Sequence, residues 1–190
     1  MIIGLTGGIG SGKSTALDAL KEHGYKTVSC DEITDNLYRR RKTLKKLREV
    51  FPSAIKGRIF LKADKKEIAR IVFSDKEKYG FLTEYLTNET FKIALSRAKK
   101  AKGTAIVEVP LLFENGFQKY FDKVIVITRE KTARVESVKA RSALSEEQIS
   151  DRLKKQIDYD SFDLTPYVVI KNDGSEKDLK AAVVKVVKSF

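Results

Sequence analysis

The chain has one cysteine and one histidine in 190 residues, and no apolar run long enough to cross a membrane. Each shortage removes a class of protein. A single cysteine, Cys30, leaves no internal disulfide and suits a reducing compartment. It has no histidine partner at hand, so it reads as a small packed residue rather than a nucleophile. The lone histidine, His23, falls at the end of an expected helix, where a cation is tolerated. Without eighteen consecutive apolar residues nothing reads as a transmembrane helix. The apolar opening, residues 1–5, is too short for a signal peptide and runs straight into a glycine loop, so a cytoplasmic location is expected. Helix-turn-helix, zinc and RNA-recognition patterns are missing, as are repeats and low-complexity segments. Acidic residues are outnumbered 26 to 38 by Lys and Arg, for a net charge of +12. Such a surface attracts nucleic acid, anionic lipid or phosphorylated metabolites, or is simply a solvated lysine-rich face.

What is present is Gly7-Gly8-Ile9-Gly10-Ser11-Gly12-Lys13-Ser14, followed by Thr15. The spacing is that of the phosphate-binding loop, glycine, four residues, then Gly-Lys-Ser. A loop that cradles a triphosphate turns its backbone N–H groups inward, and side chains would block the approach, which accounts for the glycines. Gly8, Ile9, Gly10, Ser11, Gly12, Lys13, Ser14 and Thr15 are the expected nucleotide-binding residues. Lys13 reaches the β- and γ-phosphates as a point charge, the Ser14 hydroxyl is placed to ligate Mg²⁺, and the helix that opens there directs its positive end at the anion. The expected cofactors are ATP and Mg²⁺.

Strands are expected at 1–5, 26–29, 103–110, 123–128 and 167–170, interspersed with helices, which indicates an α/β protein with a five-stranded doubly wound parallel sheet. Asp31 follows the second strand directly, and in open parallel sheets ligands bind beyond the carboxyl ends of strands. It reads as a catalytic carboxylate and also as the N-cap of a helix over 32–38. Residues 33–102 lose the strand pattern and read as a helical insertion, with a turn at 55–58 and a capping box at Asp64-Lys65-Lys66-Glu67. Its cluster Arg39-Arg40-Arg41-Lys42 is either a solvated face or an anion site. Glu114, beyond the third strand, is either an acid of the site or a surface charge. The charged stretch 130–157 carries Arg134, Arg141 and Arg152 and a second capping box at 145–148. Arg134 and Arg141 lie two helical turns apart and share a face. Ser175 caps a last amphipathic helix.

Taken together these motifs resemble the dephospho-coenzyme A kinases over nearly the whole chain. The resemblance is carried by 3–15, Asp31, 57–75, Val109-Pro110-Leu111-Leu112-Phe113-Glu114, the pair Arg152 and Gln156, and 169–175. It implies transfer of the ATP γ-phosphoryl group to the ribose 3′-hydroxyl of dephospho-CoA, the last step of coenzyme A biosynthesis. It implies a P-loop core (1–32, 103–129 and 165–190), a helical acceptor-binding domain (33–102) and a helical lid (130–164). By that likeness Asp31 accepts the hydroxyl proton, Arg141 is a lid arginine acting in the transition state, and Asn172 belongs to the adenine-side loop. Neither nucleic acid nor membrane is an expected partner, and the sequence leaves the oligomeric state open. Three positions depart from the family's usual pattern. Asn88-Glu89 stands where His-Pro is usual, Arg141-Ser142 where Arg-Asp is usual, and Ser137 where a further arginine is usual. Arg134, one turn before Ser137, is the candidate replacement, with a smaller expected effect than Arg141.

Overall fold

In chain order the elements are β1 (Ile2–Gly7), α1 (Lys13–Glu22), β2 (Lys26–Ser29), α2 (Cys30–Leu37), α3 (Arg41–Val50), β3 (Ile55–Lys56), β4 (Lys62–Ala63), α4 (Lys65–Ser74), α5 (Lys76–Lys99), β5 (Ala105–Glu108), β6 (Lys123–Thr128), α6 (Lys131–Arg141), β7 (Val168–Lys171) and α7 (Glu176–Lys188). This computed structural model describes residues 1–141, 149 and 153–190, the side chains of Ala140 and Arg141 excepted. The expected capping box at 145–148, Ser142 and Arg152 lie outside the described residues. The chain divides into two units, Met1–Ser29 with Arg97–Phe190, and Cys30–Ser96.

In the first unit β1 is the middle strand of a five-stranded sheet in the order β2-β5-β1-β6-β7. Every pairing is parallel, with Leu5 opposite both Glu108 and Ile125. Strands covered on both faces read as continuous apolar runs, as Val124-Ile125-Val126-Ile127 does. One face presents Ile3, Leu5, Ile106, Ile125, Ile127 and Ile170 to a core shared with Leu17 and Leu20 of α1 and Leu179, Val183 and Val187 of α7. On the other face, a Cβ at Gly4 would lie 3.0 Å from the Leu112 and Phe121 side chains, which pack closely over the strand there.

Helix ends follow local chemistry. After α1 the chain turns through Gly24 at φ +83°, with Gly24 N–H donating to Lys21 O and Tyr25 N–H to Leu20 O. This left-handed cap satisfies carbonyls that the helix leaves open. His23 sits beside it, its Nδ1 2.8 Å from Ala19 O. Ser175 caps α7 in a reciprocal box with Asp178. Among the described residues no helix is long and apolar enough to cross a membrane.

The second unit has its own core of Leu44, Leu47, Phe51, Ala54, Ile55 and Ile68, against which Tyr38, Phe81 and Tyr85 pack. The Phe81 and Tyr85 rings stack at 5.8 Å. Two local expectations are corrected here. The stretch at 55–58 is part of an antiparallel hairpin, β3 with β4, rather than a plain turn; Gly57 at φ +89° permits the reversal. Asp64 accepts from Glu67 N–H, but the reciprocal half of the box is not made, because Asp64 N–H donates to Ala54 O and the Glu67 carboxylate takes Arg70.

Phe51 is fully buried. Phe51→Ala is expected to cost about 3–5 kcal/mol in urea unfolding. Ser175→Ala, which removes one cap, is expected to cost about 1 kcal/mol. Equal losses would mean that the second unit's core is not closed around Phe51.

Candidate active site

The glycine loop leaves the carboxyl end of β1 and enters α1 at Lys13. Its neighbours in the sheet, β5 and β6, lie on opposite sides, so the loop opens at the point where strand order reverses, the usual ligand crevice of such sheets. Gly10 and Gly12 have φ of +75° and +103°, in the left-handed region. Space also excludes side chains: a Cβ on Gly12 would lie 2.6 Å from Asn172 Nδ2 and 2.8 Å from Leu179 Cδ2. One on Gly8 would strike the guanidinium of Arg134, and one on Gly10 the Arg134 carbonyl. Helix α6 thus lies directly over the loop. Ser11 N–H donates to Gly8 O, and the Lys13 ammonium donates to Gly7 O at 2.8 Å and Gly8 O at 3.0 Å. Ser14 is exposed in the first turn of α1.

Two side chains from distant parts of the chain hold the loop. Asn172 Nδ2 donates to Ser11 O at 2.8 Å, while its backbone N–H donates to Thr128 O. Gln156 Oε1 accepts from Ile9 N–H at 2.7 Å and its Nε2 reaches Pro110 O at 3.4 Å. Asn172 therefore clamps the loop as well as lining a pocket of about 100 Å³ beside it, with Gly12, Thr15, Arg129, Ser137 and Gly174.

Beneath the loop, Tyr159 is 6% exposed and its hydroxyl lies 3.4 Å from Thr6 Oγ1. Burial pushes the Tyr159 phenol up to about 12; the Thr6 hydrogen bond opposes this and the Glu114 charge adds to it. Glu114 accepts from Ile157 N–H at 2.8 Å, and its other oxygen is buried with no hydrogen-bond partner. It is not the freely solvated surface charge of one sequence reading. At the start of α6, Glu130 accepts from Thr132 and from Ala133 N–H. Those bonds, the Thr132 hydroxyl first, bring its carboxyl down to about 2.

The other expected residues are placed as follows. Asp31 is exposed in the first turn of α2 and belongs to the second unit. Because α2 already begins at Cys30, Asp31 is inside the helix and is not its N-cap. Arg141 is the last residue of α6, and its side chain lies outside the described residues. Sequence reasoning missed Glu108, a 5% exposed carboxylate at the end of β5 that accepts from Ser29 Oγ at 3.0 Å. An acid inside an apolar strand was the available signal. It also missed Arg129 and Tyr159, which no local pattern marks.

A phosphate loop at the switch point of a five-stranded parallel sheet defines the P-loop kinase class, and solved structures agree on the fold. A deoxyadenosine kinase from M. mycoides aligns with TM-score 0.57 at 14% identity, over 99% of this chain and all of that one. The family model described as dephospho-CoA kinase matches residues 1–178. The dephospho-CoA kinase of Thermus thermophilus is 31% identical over 98% of this chain and 90% of its own length. That of Helicobacter pylori is 30% identical over 99% and 96%. The solved structure of the dephospho-CoA kinase from Campylobacter jejuni has TM-score 0.73 at 28% identity, covering 98% of this chain and 95% of that one. The chain belongs to the dephospho-CoA kinase family.

A pH test follows from Tyr159. Its phenol is raised in the fold, so the neutral form is favoured there. The corresponding stability is fully present below the unfolded pKa near 10 and is lost as pH rises through about 12. Tyr159→Phe is expected to be less stable than the parent by up to about 1 kcal/mol at neutral pH, having lost the Thr6 bond. That gap should close between pH 10 and 12 in thermal unfolding. A gap constant across that range would mean the phenol is solvated.

Proposed function

We propose that this protein transfers the γ-phosphoryl group of ATP to the ribose 3′-hydroxyl of dephospho-CoA, yielding coenzyme A and ADP. The observation that carries the reading is the family match across residues 1–178 together with an intact phosphate loop held in cradle geometry. Phosphoryl transfer asks mainly for positioning and charge stabilisation. Of the loop N–H groups from Gly8 to Thr15, Ile9 is taken by Gln156 and Ser11 by Gly8 O, and the others hold the donor's phosphates. Lys13 exchanges its carbonyl partners at Gly7 and Gly8 for phosphate oxygens. Asn172 keeps the loop in register and borders the adenine side.

The residues present suit Mg²⁺. Ser14 is exposed at the start of α1, and Mg²⁺ in such sites needs few protein ligands because phosphate oxygens and water supply the rest. When bound, the ion neutralises phosphate charge. Among the described residues no cluster of three His, Cys, Asp or Glu side chains offers an all-protein cage.

Asp31 is the general base: it accepts the proton of the ribose hydroxyl as the oxygen bonds to phosphorus and ADP departs. The support is its place two residues beyond the carboxyl end of β2 in a parallel sheet. Residues 33–102 serve the acceptor, residues 130–164 form the lid, and Arg141 acts in the transition state.

An ADP-release assay with dephospho-CoA, run beside other small alcohols and nucleosides, tests the reading; release with another acceptor alone would overturn it. Lys13→Ala is expected to abolish turnover and weaken ATP binding in a folded protein. Asp31→Asn is expected to keep ATP affinity and lower kcat by roughly 10²–10⁴. If the Asp31 variant instead loses only ATP affinity, the residue serves the donor or its metal.

A further inference from the structure

We propose that Arg134 is a catalytic residue: a second cation which, beside Lys13, contacts the phosphates of the donor and the phosphoryl group in flight. The inference rests on the reading above that the loop binds ATP. Four observations carry it. Arg134 is 6% exposed, a burial that guanidinium groups seldom reach without a counterion. Its Nε is buried and has no hydrogen-bond partner. Among the described residues no carboxylate within salt-bridge distance pairs with it. Its guanidinium lies against Gly8, so close that a Cβ there would collide with it.

Gly8 is thus bracketed by two cations, with Lys13 Nζ on its carbonyl and Arg134 against its Cα. A charge held out of water without a partner is costly, and an arriving anion removes the cost. The planar fork of arginine fits phosphate oxygens in pairs, which a lysine does not do. The backbone explains the aim: Glu130 anchors the start of α6, Arg134 N–H donates to Glu130 O, and the helix's first turn is thereby set over the loop.

Ser137 and Arg134 stand at different places on α6. One turn further along α6, Ser137 borders the pocket shared with Gly12 and Asn172, away from Gly8. Arg134 therefore carries a principal share of the charge stabilisation, not the smaller share that sequence position alone suggested. It does not gain or lose a proton; it stabilises charge on the oxygens as the phosphoryl group passes from ADP to the acceptor.

The experiment uses the full chain with two probes, MgATP and inorganic tripolyphosphate. Arg134→Gln is expected to fold, to bind tripolyphosphate roughly tenfold or more weakly in calorimetry, and to lower kcat roughly 10²–10³-fold. The KM for dephospho-CoA should stay within about twofold. Added guanidinium should restore part of the activity of Arg134→Ala. In wild-type protein labelled with ¹⁵N, the Arg134 Nε–H resonance, assigned by its loss in Arg134→Lys, should shift on adding tripolyphosphate; this arm needs no neutral variant to fold. Unchanged tripolyphosphate affinity in Arg134→Gln, an unshifted resonance, or a kcat loss that guanidinium does not relieve would each assign Arg134 to packing and overturn the proposal. Anion binding that depends on Arg134, without ADP release on dephospho-CoA, would remove the acceptor reading and leave this one standing. No tripolyphosphate binding at all would overturn both.

Discussion

A loop made largely of glycine cannot hold its own shape. The residues between β1 and α1 have given up side chains so that phosphate can approach the backbone, and with them the contacts that would fix one conformation. Apart from the Ser11 N–H bond to Gly8 O, its restraints come from outside the glycine run. Lys13 folds back onto the carbonyls of Gly7 and Gly8, Asn172 ties Ser11 O, and Gln156 takes Ile9 N–H. Helix α6 closes the space above Gly8 and Gly10. Lys13 is local, but Asn172 and Gln156 lie more than a hundred residues from the loop in sequence, and the sheet order makes their reach possible. β7 pairs with β6 and β6 with β1, so Asn172, one residue past β7, is bonded to Thr128 at the end of β6 and reaches the loop after β1.

The polar groups under the loop serve the same constraint. Gln156 spans Ile9 N–H and Pro110 O, while the neighbouring Ile157 N–H is taken by Glu114. Tyr159 continues the line to Thr6 and packs its ring on Phe113, which also meets Phe162 and Tyr167 at 4.8 Å. None of these side chains needs to touch a substrate to matter. In a reaction driven by positioning, a displacement of about 1 Å at the loop can cost on the order of 10²-fold in rate. Glu114, ambiguous in sequence, thereby acquires a role as a support.

This division also explains what could be read in the sequence. The strands, the loop and the Ser175 cap are written in neighbouring residues, so they were legible. β6 falls at 123–128 as expected, and the family follows from motifs that span the chain. What was missed depends on partners distant in sequence. Asp64 begins a capping motif, yet Ala54 O takes its N–H, and the box stays half made. Ile55 and Ala63 pair across Gly57 in a hairpin too short to show an alternating pattern. Of the two sequence readings of Asp31, only the N-cap fails, because nothing local reveals that α2 starts at Cys30. Asn172 was found through resemblance, but its bond to Ser11, 161 residues away, exists only in the fold.

Charge is the last case of the same lesson. An excess of twelve positive charges does attract anions, but most of it is diffuse. Arg39, Arg40, Arg41 and Lys42 are all exposed, and salt screens such charges beyond about 8–10 Å. Composition therefore cannot distinguish a binding site from a solvated face. Position can. Lys13 is anchored on loop carbonyls and Arg134 is almost wholly withdrawn from water. A unit charge in a medium of effective dielectric about 20 acts about four times as strongly as in water. Two cations fixed at one glycine, where no side chain intervenes, thus outweigh a surface bearing many more. On the proposed reading, anion selectivity comes from where the backbone is bare, and the net charge contributes mainly to the encounter.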